Sequence, residues 1–124
     1  MRIVYRKLQP GESLCYRDIR LESLKAHPEY FGSSYQEQKE LSRLMFEEAI
    51  EQLQDDRFVL GAFDKDKIVG ICGFVSIKDK TYAGLRNVGS LIQLYVKPGY
   101  RGMGVGLHLV EYLIEEGFQI PGIE

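Results

Sequence analysis

A glycine-rich segment late in the chain constrains the fold more strongly than any other feature of the sequence. It reads Arg101-Gly102-Met103-Gly104-Val105-Gly106 and lies between an apolar, strand-like stretch and an amphipathic helical pattern. Glycine lets the backbone turn tightly and approach a ligand, and the first amides of a helix are unpaired donors at its positive end. The segment therefore predicts a strand, a tight loop and a helix N-terminus that together hold an anion such as a pyrophosphate.

Two familiar nucleotide-binding motifs do not fit this segment. A Walker loop ends in Gly-Lys-Ser or Gly-Lys-Thr, and neither triplet occurs in the chain. A dinucleotide-binding fold needs Gly-x-Gly-x-x-Gly after the first strand of a βαβ unit, whereas the glycines here alternate at 102, 104 and 106 and follow hairpin-like strands. Both classes of site are disfavoured.

Length and composition predict a single domain over residues 1–124. The chain is 44% hydrophobic and carries 16 Lys and Arg against 18 Asp and Glu, a net charge of −2 that argues against a nucleic-acid-binding surface. The two cysteines, Cys15 and Cys72, have no neighbours at metal-ligand spacing, so no metal site and two reduced thiols are expected. No apolar run approaches the roughly 20 residues of a membrane span. We therefore expect a cytoplasmic protein without a membrane partner.

The hydrophobic periodicity predicts an order of strand, two helices, three strands, the glycine loop and a third helix. The predicted strands are 3–8, 58–63, 68–77 and 87–96, and the helices run over 12–26, from Ser34 to Leu53 and over 104–116, with Gly117 as a C-terminal cap. The last strand is apolar enough to be covered on both faces. The residues expected to face the core are Leu14, Leu21 and Leu24 in the first helix, Leu41, Met45, Phe46, Ala49, Ile50 and Leu53 in the second, and Val105, Leu109, Val110, Leu113 and Ile114 in the third.

With these residues in place, the chain resembles the Gcn5-related N-acetyltransferase (GNAT) superfamily. The acetyl-CoA motif of that family is Gln/Arg-x-x-Gly-x-Gly/Ala after a strand that ends in an apolar-x-Val-x-Pro run, and residues 94–106 match it throughout. The predicted order of elements is also the order of the family. The resemblance implies an α/β (α+β) fold of the acyl-CoA N-acyltransferase type, in which helices flank a mixed, mostly antiparallel sheet.

The resemblance also implies a set of residues that bind acetyl-CoA. Backbone groups of one strand would pair with the pantetheine arm, and the amides of the loop and of the first helical turn would hold the pyrophosphate. These residues are Leu94, Tyr95 and Val96 on the strand, and Arg101, Gly102, Met103, Gly104, Val105, Gly106 and Leu107 beyond it. Arg101 is expected to add charge near the phosphates, and Lys97 to be a solvated surface charge. Tyr30 and Phe31 are weaker candidates for contact with the acceptor substrate.

The chemistry implied is direct attack of a primary amine on acetyl-CoA in a ternary complex, the amine belonging to a small molecule or to a protein. An amide near Leu94 would meet the developing oxyanion. Many members carry a glutamate on this strand, but this chain offers only Ser90 and Gln93, so no catalytic base is assigned. His108 is expected to be a packed or helix-surface residue rather than a base.

Family members normally continue beyond the third helix into a further strand, a helix and a final hairpin. Because the sequence ends at Glu124, the resemblance predicts a domain whose C-terminal strands are missing. Two interpretations follow. The chain is an N-acetyltransferase, with a homodimer in which a second copy completes the sheet edge; or it is a truncated, non-catalytic remnant that binds CoA or associates with itself.

Overall fold

The computed structural model describes residues 2–26, 35–41, 46–53, 57–79 and 86–119. The elements in chain order are β1 (Ile3–Lys7), α1 (Ser13–Ala26), α2 (Tyr35–Glu40), α3 (Glu47–Gln52), β2 (Arg57–Asp64), β3 (Lys67–Asp79), β4 (Arg86–Val96), a 3-10 turn (Pro98–Tyr100) and α4 (Val105–Gly117). The predicted order is confirmed, except that one long second helix is wrong. Leu41 lies in a bend after α2, and α3 begins anew with Phe46 as its N-terminal cap.

The four strands of the described residues form one antiparallel sheet in the order β1, β2, β3, β4. A tight connection explains the pairing of β2 with β3, which are joined by a turn at residues 65 and 66. β4 pairs with β3 and lies at one edge of the described sheet. The strand that precedes the glycine loop is therefore an edge strand of this sheet.

Side chains alternate between the two faces of the sheet and form two apolar clusters. On one face, α1 and α3 pack on strand residues that include Val59, Phe63, Ile71 and Tyr95. On the opposite face, α4 packs through Val105, Leu109 and Leu113 against residues of β2 and β3. The sheet is thus a middle layer, and β4 is reached from both helical layers.

Helical spacing selects the buried faces, and it corrects several predictions. Leu14 is 72% exposed because the buried face of α1 follows residues 16, 19, 20, 23 and 24, to which Leu14 lies opposite. Ile114 is 49% exposed because α4 buries the ladder 105, 109, 113 and 117. Leu41 and Leu53 are 46% and 53% exposed at the ends of α2 and α3. The outward face of α4 therefore includes Ile114, which was expected to lie in the core.

The expectation that β4 is covered on both faces is also wrong in part. Leu91 and Leu94 are 40% and 39% exposed, although Tyr95 is only 5% exposed. Gly117, expected as a cap, is the last residue of α4, and Phe118 takes the capping position. A Cβ at Gly117 would lie 2.7 Å from Cε2 of Phe74, so close packing requires glycine there.

Candidate functional site

The end of β4 is tied firmly to the sheet before the chain enters the glycine loop. The Lys97 amide donates to the Val69 carbonyl at 2.9 Å, which extends the contact with β3 by one residue. In the 3-10 turn that follows, the Tyr100 hydroxyl donates to Oδ2 of Asp64 at 2.6 Å. That carboxylate raises the pKa of Tyr100. The loop therefore leaves from a fixed point beside β2 and β3.

Two loop glycines have left-handed backbone conformations that other residues seldom adopt. The φ angles are 78° at Gly102 and 80° at Gly104. A Cβ at Gly102 would meet nothing within 4 Å, and one at Gly104 would meet only the imidazole of His108, at 3.7 Å. Backbone conformation rather than crowding requires these glycines, and the space beside them is open.

The open space lies at the N-terminus of α4. Gly104 is the N-terminal cap and has no side-chain capping bond, and its carbonyl accepts the first helical hydrogen bond, from the His108 amide at 3.0 Å. The amides of the first helical turn precede that bond and point away from the helix. Gly102 and Gly104 are both exposed. The helix end therefore presents backbone donors to solvent, as an anion site requires.

The remaining predicted residues of the loop and helix divide by burial. Val105 is 2% exposed and anchors the helix in the core, so only its backbone faces the loop. Met103 and Leu107 are 47% and 63% exposed. Gly106 lies against the end of β4, since a Cβ there would be 3.7 Å from Cγ2 of Val96. The structure thus brings the predicted strand residues and the predicted loop residues together.

Arg101 folds back along the end of β4. Its Nε donates to the Val96 carbonyl at 2.9 Å, and its guanidinium carbon lies 5.5 Å from the centroid of the Tyr95 ring. This position keeps the cation between the strand end and the loop. His108, by contrast, is exposed on the surface of α4, where its Nδ1 lies 3.3 Å from the Tyr5 hydroxyl. The helix-surface prediction for His108 is confirmed.

A β-bulge interrupts β4 three residues before its end. Ile71 pairs with Tyr95 and Gly73 pairs with Ile92, so that Gln93 and Leu94 together oppose one residue of β3. Gln93 has φ of 60°, a left-handed conformation inside a strand. A bulge leaves backbone groups outside the ladder and bends the strand. The sequence analysis did not predict this feature, because glutamine carries no preference for that conformation.

Three polar side chains, two on β4 and one directly after it, contact α1, and we call them, with their partners, the α1–β4 polar seam. The Tyr16 hydroxyl donates to Oε1 of Gln93 at 2.7 Å, and the Tyr95 hydroxyl donates to Oε2 of Glu22 at 2.7 Å. Nζ of Lys97 lies 3.5 Å from Oε1 of Glu22. Lys97, expected to be a solvated surface charge, is 26% exposed and pairs with that carboxylate.

The pKa values of the two tyrosines in the seam are raised. Burial, followed by the bond to Glu22, raises the pKa of Tyr95 to about 12. Burial likewise raises the pKa of Tyr16. Both hydroxyls therefore remain neutral donors at physiological pH. No pattern in the sequence indicated the seam, since its partners are far apart in the chain.

Some predicted residues lie outside the part of the chain that the structure describes. Tyr30 and Phe31 lie outside the described residues, as does the side chain of Ser90. Within the described ranges, no three His, Cys, Asp or Glu side chains come together as a metal site would need. None of the helices described has the length and hydrophobicity to cross a bilayer.

Residues 17–124 match the sequence profile of the acetyltransferase (GNAT) family. The chain belongs to the GNAT acetyltransferase family. By this resemblance it is an N-acetyltransferase, and the predicted family and fold are confirmed. No curated protein is significantly similar in sequence.

Solved structures of GNAT-like proteins share this fold. A predicted acetyltransferase from Clostridium acetobutylicum with acetyl-CoA is 16% identical, with a TM-score of 0.74, over 99% of this chain and 79% of that one. An aminoglycoside acetyltransferase from an uncultured soil metagenomic sample is 20% identical, with a TM-score of 0.71, over 99% and 77%. Arabidopsis thaliana NAA60 with a bisubstrate analogue is 17% identical, with a TM-score of 0.65, over 98% and 70%. At such identities, these likenesses show the fold alone.

Proposed function

We propose that this chain binds acetyl-CoA along β4 and the glycine loop and transfers the acetyl group to a primary amine in a ternary complex. The observation that carries the proposal is the exposed helix N-terminus behind Gly102 and Gly104, whose left-handed conformations leave open space beside the backbone donors. A Cβ and a charge at either glycine would enter that space. The residues present therefore fit a pyrophosphate.

The edge position of β4 supports the second part of the binding site. An edge strand has unpaired donors and acceptors, which an extended ligand can use as another strand would. We assign the pantetheine arm to the backbone of Leu94, Tyr95 and Val96, and the pyrophosphate to the amides from Arg101 to Leu107. Arg101, held against Val96, adds a positive charge beside the phosphates.

Acetyl-CoA supplies an activated acyl group as a thioester. We propose that the bulge places the Leu94 amide as a donor to the acetyl carbonyl oxygen, so that negative charge developing on that oxygen is stabilised. The attacking amine must be neutral, and Gln93 is no base at neutral pH. We therefore propose that water takes the proton from the amine and that solvent returns one to the CoA thiolate.

The proposed acceptor is the amino group of a small molecule or of a protein. One solved structure that shares the fold is named an aminoglycoside acetyltransferase, and another, NAA60, contains a bisubstrate analogue. Because loops that surround an acceptor vary freely within a fold, function must be tested at the site itself.

Calorimetry with acetyl-CoA tests binding, and release of free thiol tests turnover. The panel of amines should contain an aminoglycoside, a polyamine and a peptide with a free N-terminus. We expect saturable binding and thiol release with at least one class. Absence of acetyl-CoA binding by the folded chain would refute the site, and binding without release across the panel would favour a non-catalytic CoA-binding protein.

Self-association has a specific observation in its favour. Leu107, Ile114 and Phe118, which we call the α4 apolar line, are 63%, 49% and 61% exposed and lie along one side of α4. We propose that a second copy of the chain covers this line and the β4 edge, because a two-fold contact sets the same apolar surface against itself. A homodimer of this kind leaves the pantetheine site open only where the second copy pairs with β4 before residue 94, since the backbone of residues 94–96 is assigned to the pantetheine arm.

Sedimentation velocity tests the homodimer. Ile114→Lys puts a charge in the α4 apolar line and should shift a dimer to monomer, whereas Glu115→Lys, on an exposed neighbouring position, should not. A wild-type protein that stays monomeric at all concentrations would refute the dimer.

A cytoplasmic location is also proposed, in keeping with the free thiols of Cys15 and Cys72.

A further inference from the structure

Tyr16 on α1 contacts Gln93 on β4, a residue with an unusual backbone conformation. Among the described residues, three other than glycine have a positive φ, namely Leu53, Lys65 and Gln93. Leu53 caps the end of α3, and Lys65 lies in the turn between β2 and β3, so the chain changes direction at both. Gln93 alone lies within a strand. A left-handed residue there is strained and persists only if its surroundings hold it.

Tyr16 is well suited to hold Gln93. It is 1% exposed, its hydroxyl donates to Oε1 of Gln93 at 2.7 Å, and its ring packs edge-on against Phe46 with centroids 6.0 Å apart. A buried ring with few accessible rotamers gives its hydroxyl a fixed position. The bond crosses from α1 to the bulge and joins residues 77 positions apart in sequence. The conformation of the bulge is thus tied to the position of α1.

The bulge affects the proposed site through the backbone groups that it orients. Gln93 immediately precedes Leu94, the residue to which we assign the donor for the acetyl carbonyl. A change of φ at Gln93 rotates the peptide group between Gln93 and Leu94, which carries that donor. The pyrophosphate donors, by contrast, lie beyond Lys97 and the 3-10 turn, which have their own bonds to Val69 and Asp64. Gln93 therefore affects the thioester end of the site separately from the phosphate end.

We propose that Tyr16 is a positioning residue of this acetyltransferase: by holding the Gln93 carboxamide, it fixes the β4 bulge so that the Leu94 amide meets the acetyl carbonyl. This inference rests on the proposed function. Tyr16 itself touches neither the acyl group nor the phosphates. Its loss should weaken recognition of the thioester carbonyl and leave the binding of the rest of CoA unchanged.

Two ligands of the same size separate these effects. Acetyl-CoA has the carbonyl oxygen, and S-ethyl-CoA carries two carbons on sulfur without it. We expect the wild-type chain to bind acetyl-CoA about three- to tenfold more tightly by calorimetry, the range for one hydrogen bond. In Tyr16→Phe the preference should disappear, with the Kd for S-ethyl-CoA changed less than about twofold. Tyr5→Phe, which removes a hydroxyl bonded to His108 near the phosphate end of the site, should keep the preference.

Infrared spectroscopy provides a second test, because altered stability alone would not change the carbonyl stretching frequency of the bound ligand. A hydrogen bond to the acetyl carbonyl lowers its stretching frequency, so infrared difference spectra with carbonyl-labelled acetyl-CoA report the bond directly. We expect a shift to lower frequency in the wild type and in Tyr5→Phe, and a return toward the frequency of free acetyl-CoA in Tyr16→Phe. Circular dichroism melts confirm that each variant is folded at the assay temperature.

Gln93→Gly provides the second variant. Glycine relieves the strain of a positive φ but removes the side chain that Tyr16 holds, so the preference for acetyl-CoA should be lost even if the variant folds well. Lys65→Gly relieves the same strain in the β2–β3 turn and should leave the preference intact. A folded Gln93→Gly that keeps the wild-type preference would overturn the inference.

The outcomes distinguish this inference from the function on which it rests. If the folded wild type binds neither ligand, the proposed function fails. If it binds both equally, or if Tyr16→Phe keeps the wild-type preference and carbonyl frequency, the positioning role of Tyr16 fails while the CoA site stands.

Discussion

The glycines within the sheet and the glycines before α4 are required for opposite physical reasons. A Cβ at Gly73 would lie 2.8 Å from the ring of Phe46, and one at Gly61 would lie 2.8 Å from the ring of Phe63. At Gly102 the same atom would meet nothing within 4 Å, and at Gly104 only an imidazole at 3.7 Å. Sheet glycines make room for the core, whereas loop glycines give the backbone a conformation that leaves room for a ligand.

Backbone φ and the space around the Cβ position together separate structural from functional glycines in this chain. Gly61 and Gly73 have ordinary φ values but crowded surroundings, while Gly102 and Gly104 have positive φ values and open surroundings. Substitution in the sheet should therefore reduce stability and spare ligand affinity in the folded protein. Substitution in the loop by a charged side chain should do the reverse.

Gly104→Glu should produce the largest effect. The new side chain would place a carboxylate at the helix N-terminus, where it repels phosphate and occupies the open space. We expect the Kd for acetyl-CoA to rise at least about 100-fold, or about 2.8 kcal/mol, by calorimetry. The left-handed conformation should cost roughly 1–2 kcal/mol of stability, so the protein should remain folded.

Gly99→Glu is the matched control for that substitution. Gly99 also has open surroundings but an ordinary φ, and it lies in the 3-10 turn rather than at the helix end. It adds the same charge five positions away along the chain, and we expect a much smaller change in Kd. An equal loss of affinity in both variants would mean that net charge rather than the helix end governs binding.

Gly73→Ala should show the opposite pattern. Its Cβ would press on Cε2 and Cζ of Phe46 at 2.8 Å and on the Ile92 carbonyl oxygen at 3.3 Å. Overpacking of this kind costs about 1–3 kcal/mol, which urea denaturation would measure. The Kd for acetyl-CoA should stay within about twofold in the folded protein. Gly99→Ala, in open space, should cost under about 0.5 kcal/mol, and a similar cost at both positions would contradict the packing argument.

Most of the fold was predictable because its signals are local. Alternating apolar residues in β2 and β3 and the turn between them define a hairpin within about 20 residues. The glycine loop was predictable for the same reason, since the backbone itself demands glycine. The wrong assignments, such as Leu14 and Ile114 in the core, come from choosing a helix face by hydrophobicity alone. Tertiary packing chose faces that include Arg20 and Ser23 instead.

The α1–β4 polar seam could not be predicted in this way. Gln93 in the bulge is bonded to Tyr16, and Tyr95 is bonded to Glu22, 73 residues earlier in the chain. Gln, Glu and Tyr carry no sequence signal that specifies such partners. Only the packing of α1 across β4 brings them together, and that packing is set by the apolar residues around them.

Arg101→Gln tests whether the loop backbone acts with a side-chain cation. Because Arg101 is bonded to the Val96 carbonyl, its charge stays beside the loop rather than moving freely in solvent. We expect a loss of about fivefold in acetyl-CoA affinity, or about 1 kcal/mol, that shrinks as salt rises. Lys97→Gln should cost less, since Lys97 faces Glu22. A larger effect at Lys97 would reverse the assignment of the phosphate-binding cation.

Gly102→Asn should have the smallest effect. It tests whether backbone conformation or crowding requires glycine at this position. Asparagine tolerates the left-handed region better than other residues with a Cβ, and the surroundings of Gly102 are open. The loss of stability should therefore stay under about 1 kcal/mol, and Gly102→Ala should cost more than Gly102→Asn, since alanine has no side-chain group to support that conformation. Urea denaturation of the pair measures the difference. If both variants were as unstable as Gly73→Ala, crowding rather than φ would be the reason for glycine at this position.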